Sequence, residues 1–214
     1  RFSATTGSCK TLPAIALNRT MKTKFIIFIF LLFTSFCNAK YSPRMLSQLI
    51  DESDLIGSGE IIQINGKLIT VKFTEFIKGY SKTQILNIKK FENWTCASRW
   101  TEYKIGQKEL IFLKLSKNKE FEILGSGNEG EMPIYNNDIY YKSPYGCLDK
   151  IAKRYKFNKQ ELCGFAFKIS DVKNGIREYL KNKKIYFEMA KPTSKHKTLQ
   201  NRFLDRLVYE IRNP

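Results

Sequence analysis

Histidine is nearly absent from this chain. His196 is the single imidazole in 214 residues, and it sits in the lysine-rich segment Thr193-Ser194-Lys195-His196-Lys197. A cysteine or serine nucleophile therefore has almost no imidazole base to draw on. Zinc loses its commonest nitrogen ligand, and no C-x-x-C pair replaces it. No G-x-S-x-G elbow is present. These absences argue against histidine-dependent hydrolases and zinc enzymes together, and the reading assigns no catalytic residue, no metal and no cofactor. Long apolar runs are also missing. The longest is Phe25 to Phe33, nine residues, where a spanning helix needs about 20.

That run belongs to a leader-like stretch, Met21 to Lys40. Lys22 and Lys24 form a positive start, Phe25 to Phe33 an apolar middle, and Cys37-Asn38-Ala39 a small-residue cleavage site. Bulky Phe36 before Cys37 disfavours lipid attachment at that cysteine. The stretch reads as a secretory signal removed before Lys40. Residues 1–20 begin with Arg, hold no acid and have no apolar periodicity. They read as translated upstream sequence, with Met21 as the natural start.

Acidic residues are scarce throughout. The first 39 residues hold five Lys or Arg and no acid, so the remaining 175 carry 32 basic and 20 acidic side chains, a net +12. Such an excess draws a protein toward anionic surfaces and polymers. The lysines are scattered rather than clustered, so drift in composition is the competing reading. Three cysteines follow the leader: Cys96, Cys147 and Cys163. An exported chain can oxidise them, and three allow one internal bridge. Cys96 with Cys147 is the expected pair, since both lie in turn-rich segments. Cys163, in Leu162-Cys163-Gly164-Phe165, then reads as a buried thiol.

Ser42-Pro43 resembles an N-cap and first-turn proline, and Met45, Leu46, Leu49 and Ile50 follow at helical spacing. Asp51, Glu52 and Asp54 oppose the helix dipole and should end the helix early. The period then falls to two. Ile61 to Ile64 leads to Asn65-Gly66, a hairpin signal, and Ile69, Val71 and Phe73 alternate with polar residues. Further strands are expected over Gln84–Phe91, Glu109–Leu115 and Phe121–Leu124. Five short strands joined by turns predict a small barrel or sandwich. Helices should follow: one opened by Asn158 with Glu161 as a capping box, one capped by Ser170 with Val172, Ile176, Tyr179 and Leu180 on one face, and a last one carrying Leu199, Phe203, Leu204, Leu207, Val208 and Ile211.

Gly125-Ser126-Gly127-Asn128-Glu129-Gly130 fits a dinucleotide G-x-G-x-x-G, but Glu131-Met132-Pro133 opens no helix to receive a pyrophosphate. The stretch reads as a loop. Glu129 and Glu131 are spaced to act as paired carboxylates, or as solvated loop acids. Trp94-Thr95-Cys96-Ala97-Ser98-Arg99-Trp100 sets an arginine between both tryptophans. That cluster either stacks on a ligand or packs in the core. Asn93-Trp94-Thr95 also spells a glycosylation sequon, read as chance.

Ser53-Asp54-Leu55-Ile56-Gly57-Ser58-Gly59-Glu60-Ile61, then Phe73-Thr74-Glu75-Phe76-Ile77-Lys78-Gly79, Cys96, and Gly106-Gln107-Lys108-Glu109-Leu110-Ile111-Phe112-Leu113 form a recognisable series. It resembles uncharacterised exported bacterial proteins whose barrel is similar to that of tissue inhibitors of metalloproteinases. The resemblance spans roughly Asp54 to Leu124 and implies an oligonucleotide/oligosaccharide-binding (OB) type of barrel. Those inhibitors chelate zinc through an N-terminal cysteine. Here Lys40 would be first and no cysteine follows until Cys96, so no inhibitory residue carries over.

The combined expectation is a mainly β chain with a helical extension (α+β). Residues 21–39 form the signal, 40–53 a short helix, 54–135 a five-stranded OB-like barrel and 136–214 C-terminal helices. The expected role is binding or interaction, not catalysis, outside the cell or in its envelope. The expected partner is another protein or an envelope polymer, not nucleic acid, and no stable membrane span remains after cleavage. Candidate contact residues are Trp94, Arg99, Trp100, Glu129 and Glu131. The alternatives are a metalloproteinase inhibitor of altered mechanism and a carboxylate-based hydrolase built on residues 125–131.

Overall fold

The computed structural model describes residues 42–94, 97–125, 129–157, 160–194 and 198–213. The leader, Cys96 and His196 lie outside the described residues.

Five strands build a closed barrel: β1 (Leu55–Asn65), β2 (Leu68–Lys78), β3 (Ile85–Lys89), β4 (Lys108–Leu115) and β5 (Phe121–Ile123). They run in the order β1-β2-β3-β5-β4, and β4 pairs back onto β1. β3 and β5 are parallel, and the other barrel pairings are antiparallel. Closure leaves no free barrel edge to recruit another chain. β1 makes closure possible because it pairs with β2 on one side and β4 on the other. Its register slips beside Gly57 and Gly59. A Cβ at these positions would meet the Phe73 ring at 2.6 Å and the Val71 side chain at 2.7 Å. Glycine therefore lets the strand curl across the seam. The β1–β2 turn turns on Gly66, whose φ of +54° suits a residue without Cβ.

Leu55, Ile61, Ile69, Val71, Phe73, Ile88, Ile111 and Leu113 fill the interior. β4 is buried on both faces: Ile111 and Leu113 point inward, while Leu110 and Phe112 join a second core. Its unbroken apolar run, Leu110 to Leu113, reflects that double burial.

A second sheet grows from β4. β6 (Glu131–Tyr135) pairs with β4, and β7 (Asp138–Lys142), β9 (Gln160–Lys168) and β8 (Lys153–Phe157) follow in that spatial order. Asn136 and Asn137 join β6 to β7 at φ +48° and +65°. Two consecutive left-handed residues make the tight turn whose twist matches its strands. Alternate residues of this sheet face the helices. Ile139, Tyr141 and Phe167 pack with Val172, Ile176 and Tyr179 of α2 (Ile169–Ala190) and Phe203, Leu204 and Leu207 of α3 (Arg202–Arg212). Glu75 of β2 accepts from Lys173 at 2.7 Å and from Arg177, tying α2 to the barrel.

The expected class, a five-stranded barrel with C-terminal helices, is the observed one, with four further strands added. Several local expectations are corrected. Glu161 opens no helix but pairs with Lys156 inside the β8–β9 ladder, because Leu162, Cys163 and Phe167 find their burial in a sheet. Asn158 lies outside the described residues. The first helix, α1 (Leu46–Glu52), starts three residues beyond Pro43, where Glu210 of α3 accepts from Leu46 N at 2.9 Å. It ends where Lys78 Nζ donates to the carbonyls of Ile50 and Asp51 at 2.7 and 2.9 Å. α2 begins at Ile169, so Ser170 is not its cap, although Val172, Ile176 and Tyr179 are buried as expected. Leu199 precedes α3, which is capped by Asn201 accepting from Phe203 N and Leu204 N. The bridge joins Cys147 to Cys163, with Cα atoms 5.1 Å apart, instead of Cys147 to Cys96. Cys163 is therefore no free thiol. β9 carries it beside the short 3-10 helix Gly146–Leu148, a proximity that only the sheet creates.

Candidate binding site

β4 and β6 are neighbours, and their register sets two acids side by side. Glu109 lies opposite Pro133 and Glu131 opposite Ile111, so the two carboxylates are diagonal partners on one face. Glu109 also shares that face with Ile111 and Leu113, at the end of the barrel interior. Both acids are buried. Arg99 resolves the conflict. Its Nη2 donates to Glu109 Oε1, its Nε donates to Glu131 Oε1 at 3.1 Å, and its Nη1 donates to Thr101 O at 2.7 Å. Tyr103 OH donates to Glu131 Oε2 at 3.0 Å, and its ring covers the guanidinium at 3.8 Å.

One cation faces two acids, so a proton completes the balance. Burial first, and the Glu131 carboxylate second, push the Glu109 carboxyl up to about 8, against the pull of Arg99. Loss of solvation works to lower the Arg99 guanidinium, but the two carboxylates outweigh it and raise it. The arginine stays charged.

Folded Glu109 holds its proton from the ordinary carboxylate range up to about pH 8, where the unfolded chain has already lost it. Stability from this group is complete below pH 4.5 and is lost as pH rises through about 8. Urea unfolding from pH 5 to 8 should show stability falling by up to ~1.4 kcal/mol per pH unit. Glu109→Gln keeps the neutral shape and should flatten that slope. An unchanged slope would place the proton elsewhere.

The same segment builds a cleft. Arg99 anchors the long β3–β4 connection, and Trp100 beside it becomes a wall. Trp100, Pro133, Tyr135, Tyr140, Tyr155 and Phe157 line a cleft of about 750 Å³. The volume lies in the range of ligand sites. Lys104, Lys108 and Lys156 line it too, with no acid among the lining residues. The rings meet edge-on: Trp100 with Phe157 at 5.2 Å, Tyr140 with Phe157 at 5.1 Å and Tyr140 with Tyr155 at 4.9 Å. Tyr140 lies opposite Ala166 and Tyr155 opposite Leu162, so the two rings meet diagonally across β9.

No protein-family model matches the chain, and no curated protein matches it. Among solved structures, one described as that of an exosome complex RNA-binding protein aligns over 80% of this chain and 94% of its own. The identity is 12% and the TM-score 0.25. A similarity at that level carries no argument about fold or ligand.

The five expected contact residues separate. Arg99 is buried, with 2% of its side chain accessible, and its guanidinium is paired with Glu109 and Glu131. Trp100 is buried at the cleft wall, whereas Trp94 is 44% exposed and lines no part of the cleft. Glu131 is tied to Arg99 and Tyr103. Glu129 is buried beside Gly125. Neither acid lines the cleft. Tyr135, Tyr140, Tyr155 and Phe157 are cleft residues outside the expected set. A signal existed in Lys153-Arg154-Tyr155-Lys156-Phe157, where cations and aromatics alternate at strand period.

Proposed function

We propose that this protein is an exported, non-catalytic binding module. In this reading the barrel is the scaffold and the lysine-rimmed aromatic cleft receives an anionic ligand. One observation carries the reading. The second sheet buries Ile139, Tyr141 and Phe167 against helices and presents Tyr140, Tyr155 and Phe157 on its other face. Half-exposed aromatics gathered in a concave, cation-lined site are a binding surface more than a packing requirement.

Export is supported by the leader pattern before Lys40 and by the Cys147–Cys163 bridge, since such bridges persist in oxidising compartments. Among the described residues no helix is long and apolar enough to cross a membrane. The likeness to tissue-inhibitor barrels in the Asp54–Leu124 series supports a shared scaffold; inhibition does not follow from it.

Retention of the processed protein, residues 40–214, on immobilised anionic polymers tests the reading. Tyr155→Ala should weaken retention at least tenfold while leaving the melting temperature within a few degrees. Equal retention of the variant on every polymer would remove the cleft from the function.

A further inference from the structure

We infer that the ligand is an extended anionic glycan, a pyranose polymer bearing carboxylates, laid across Tyr155. The inference rests on the binding reading above and specifies the ligand of that cleft. The site lies where the β3–β4 connection and the start of β4 meet the added sheet.

Three observations converge on it. First, the cleft has a neighbour. A second hollow of about 300 Å³ is lined by Tyr155, Lys153, Ala166, Lys168, Asp138 and Arg202. Tyr155 lines both hollows. Two adjoining hollows joined at one ring suit a chain of linked units better than one compact molecule.

Second, the hollows differ in charge. The larger holds Lys104, Lys108 and Lys156 without an acid, so it demands negative charge from its occupant. In the smaller, Asp138 binds Lys168 Nζ at 2.6 Å and Asp171 stands alongside. Mixed donors and acceptors of that kind suit hydroxyl groups. A polymer with hydroxyls on every unit and a carboxylate on many meets both requirements.

Third, the rings are perpendicular. Interplanar angles of 64°, 75° and 87° separate the Trp100–Phe157, Tyr140–Tyr155 and Tyr140–Phe157 pairs. Successive nucleobases stack on ring faces presented one after another. Here neighbouring rings alternate face with edge, so a strand of bases finds no continuous platform. A pyranose needs one ring face for its C–H groups and lateral donors for its hydroxyls. Tyr155 with Tyr140 supplies both. The phenol of Tyr140, raised by burial and by Asp138, remains a neutral hydroxyl.

Calorimetric titration of processed protein with four probes of matched length decides the matter: polygalacturonate, its methyl ester, polyglutamate and oligo-dT. Polygalacturonate should bind at least tenfold more tightly than each of the other three. The ester keeps the sugar and loses the charge; polyglutamate keeps the charge and loses the sugar. Tyr155→Ala should bring polygalacturonate down to the level of polyglutamate. Lys104→Gln with Lys156→Gln, both exposed and safe for folding, should bring it down to the level of the ester. If polyglutamate matches polygalacturonate yet Tyr155→Ala weakens both, the cleft binds acidic peptide and the glycan inference is overturned while the binding reading stands. Tighter binding of oligo-dT overturns it in favour of nucleic acid. If no probe responds to Tyr155→Ala, both fail together.

Discussion

Replacing Arg99 with leucine should lower the stability of this domain by about 3–5 kcal/mol, the range seen when one partner of a buried ion pair is removed. Arg99 holds two acids, Glu109 and Glu131, whose side chains are buried away from solvent. Without the guanidinium, Glu131 retains the Tyr103 hydroxyl and the barrel end contains uncompensated charge. The defect is chemical rather than steric, so it should be repairable. Arg99→Leu combined with Glu109→Leu and Glu131→Gln removes the acids along with the cation. The triple variant should regain more than half of the loss in urea denaturation. A single Arg99→Leu variant that unfolds like the parent would show that the cluster is not holding the β3–β4 connection. The loss should also reach the cleft, because Trp100 is positioned by the residue before it. Ligand affinity should fall in Arg99→Leu even where the barrel remains folded.

Breaking the Cys147–Cys163 bridge has the second large effect. The two cysteines are 16 residues apart, and loop closure of that length stabilises by about 3 kcal/mol. Cys147→Ser should shift urea unfolding by that amount, and reductant should shift the parent equally while leaving the variant unmoved. The consequence is local as well as global. The closed loop contains all of β8, an edge strand whose one ladder partner among the described residues is β9, and β8 carries Tyr155 and Phe157. Amide exchange over residues 153–157 should therefore accelerate more than exchange in β1 or β4. If reduction leaves β8 exchange and ligand affinity unchanged, the bridge has no part in holding the cleft wall.

Both expectations arise because the added sheet is held by contacts distant in sequence. Arg206 of α3 makes the same point. Its Nε donates to Glu210 Oε1 at 2.7 Å and its Nη2 meets Asp149 Oδ2 at 2.8 Å. Glu210 Oε2 in turn accepts from Tyr141 OH and from Leu46 N. One buried acid thus joins α1, β7 and α3. Burial raises the Glu210 carboxyl while Arg206 and its donors oppose that shift.

The barrel was legible from residues alone because its signals are local. Ile69-Thr70-Val71-Lys72-Phe73 alternates at strand period, Asn65-Gly66 marks a turn, and Leu110 to Leu113 announces burial on both faces. Hydrophobic period reports which side of a strand is dry, and dryness on one side is most of what a barrel strand requires. The helical faces of α2 and α3 were legible for the same reason. What the pattern could not convey was pairing. Gln160 to Lys168 contains an apolar run too short to separate strand from helix, and only its neighbours β7 and β8 decide it. Glu131 and Glu109 lie 22 positions apart, and each reads as an ordinary acid until the β4–β6 register brings them onto one face with Arg99. The partner of Cys147 and the cleft built from Trp100, Tyr140 and Tyr155 likewise exist only where separate strands meet. Side-chain chemistry is written along the chain, but proximity is created by long-range pairing, and in this protein proximity defines the site.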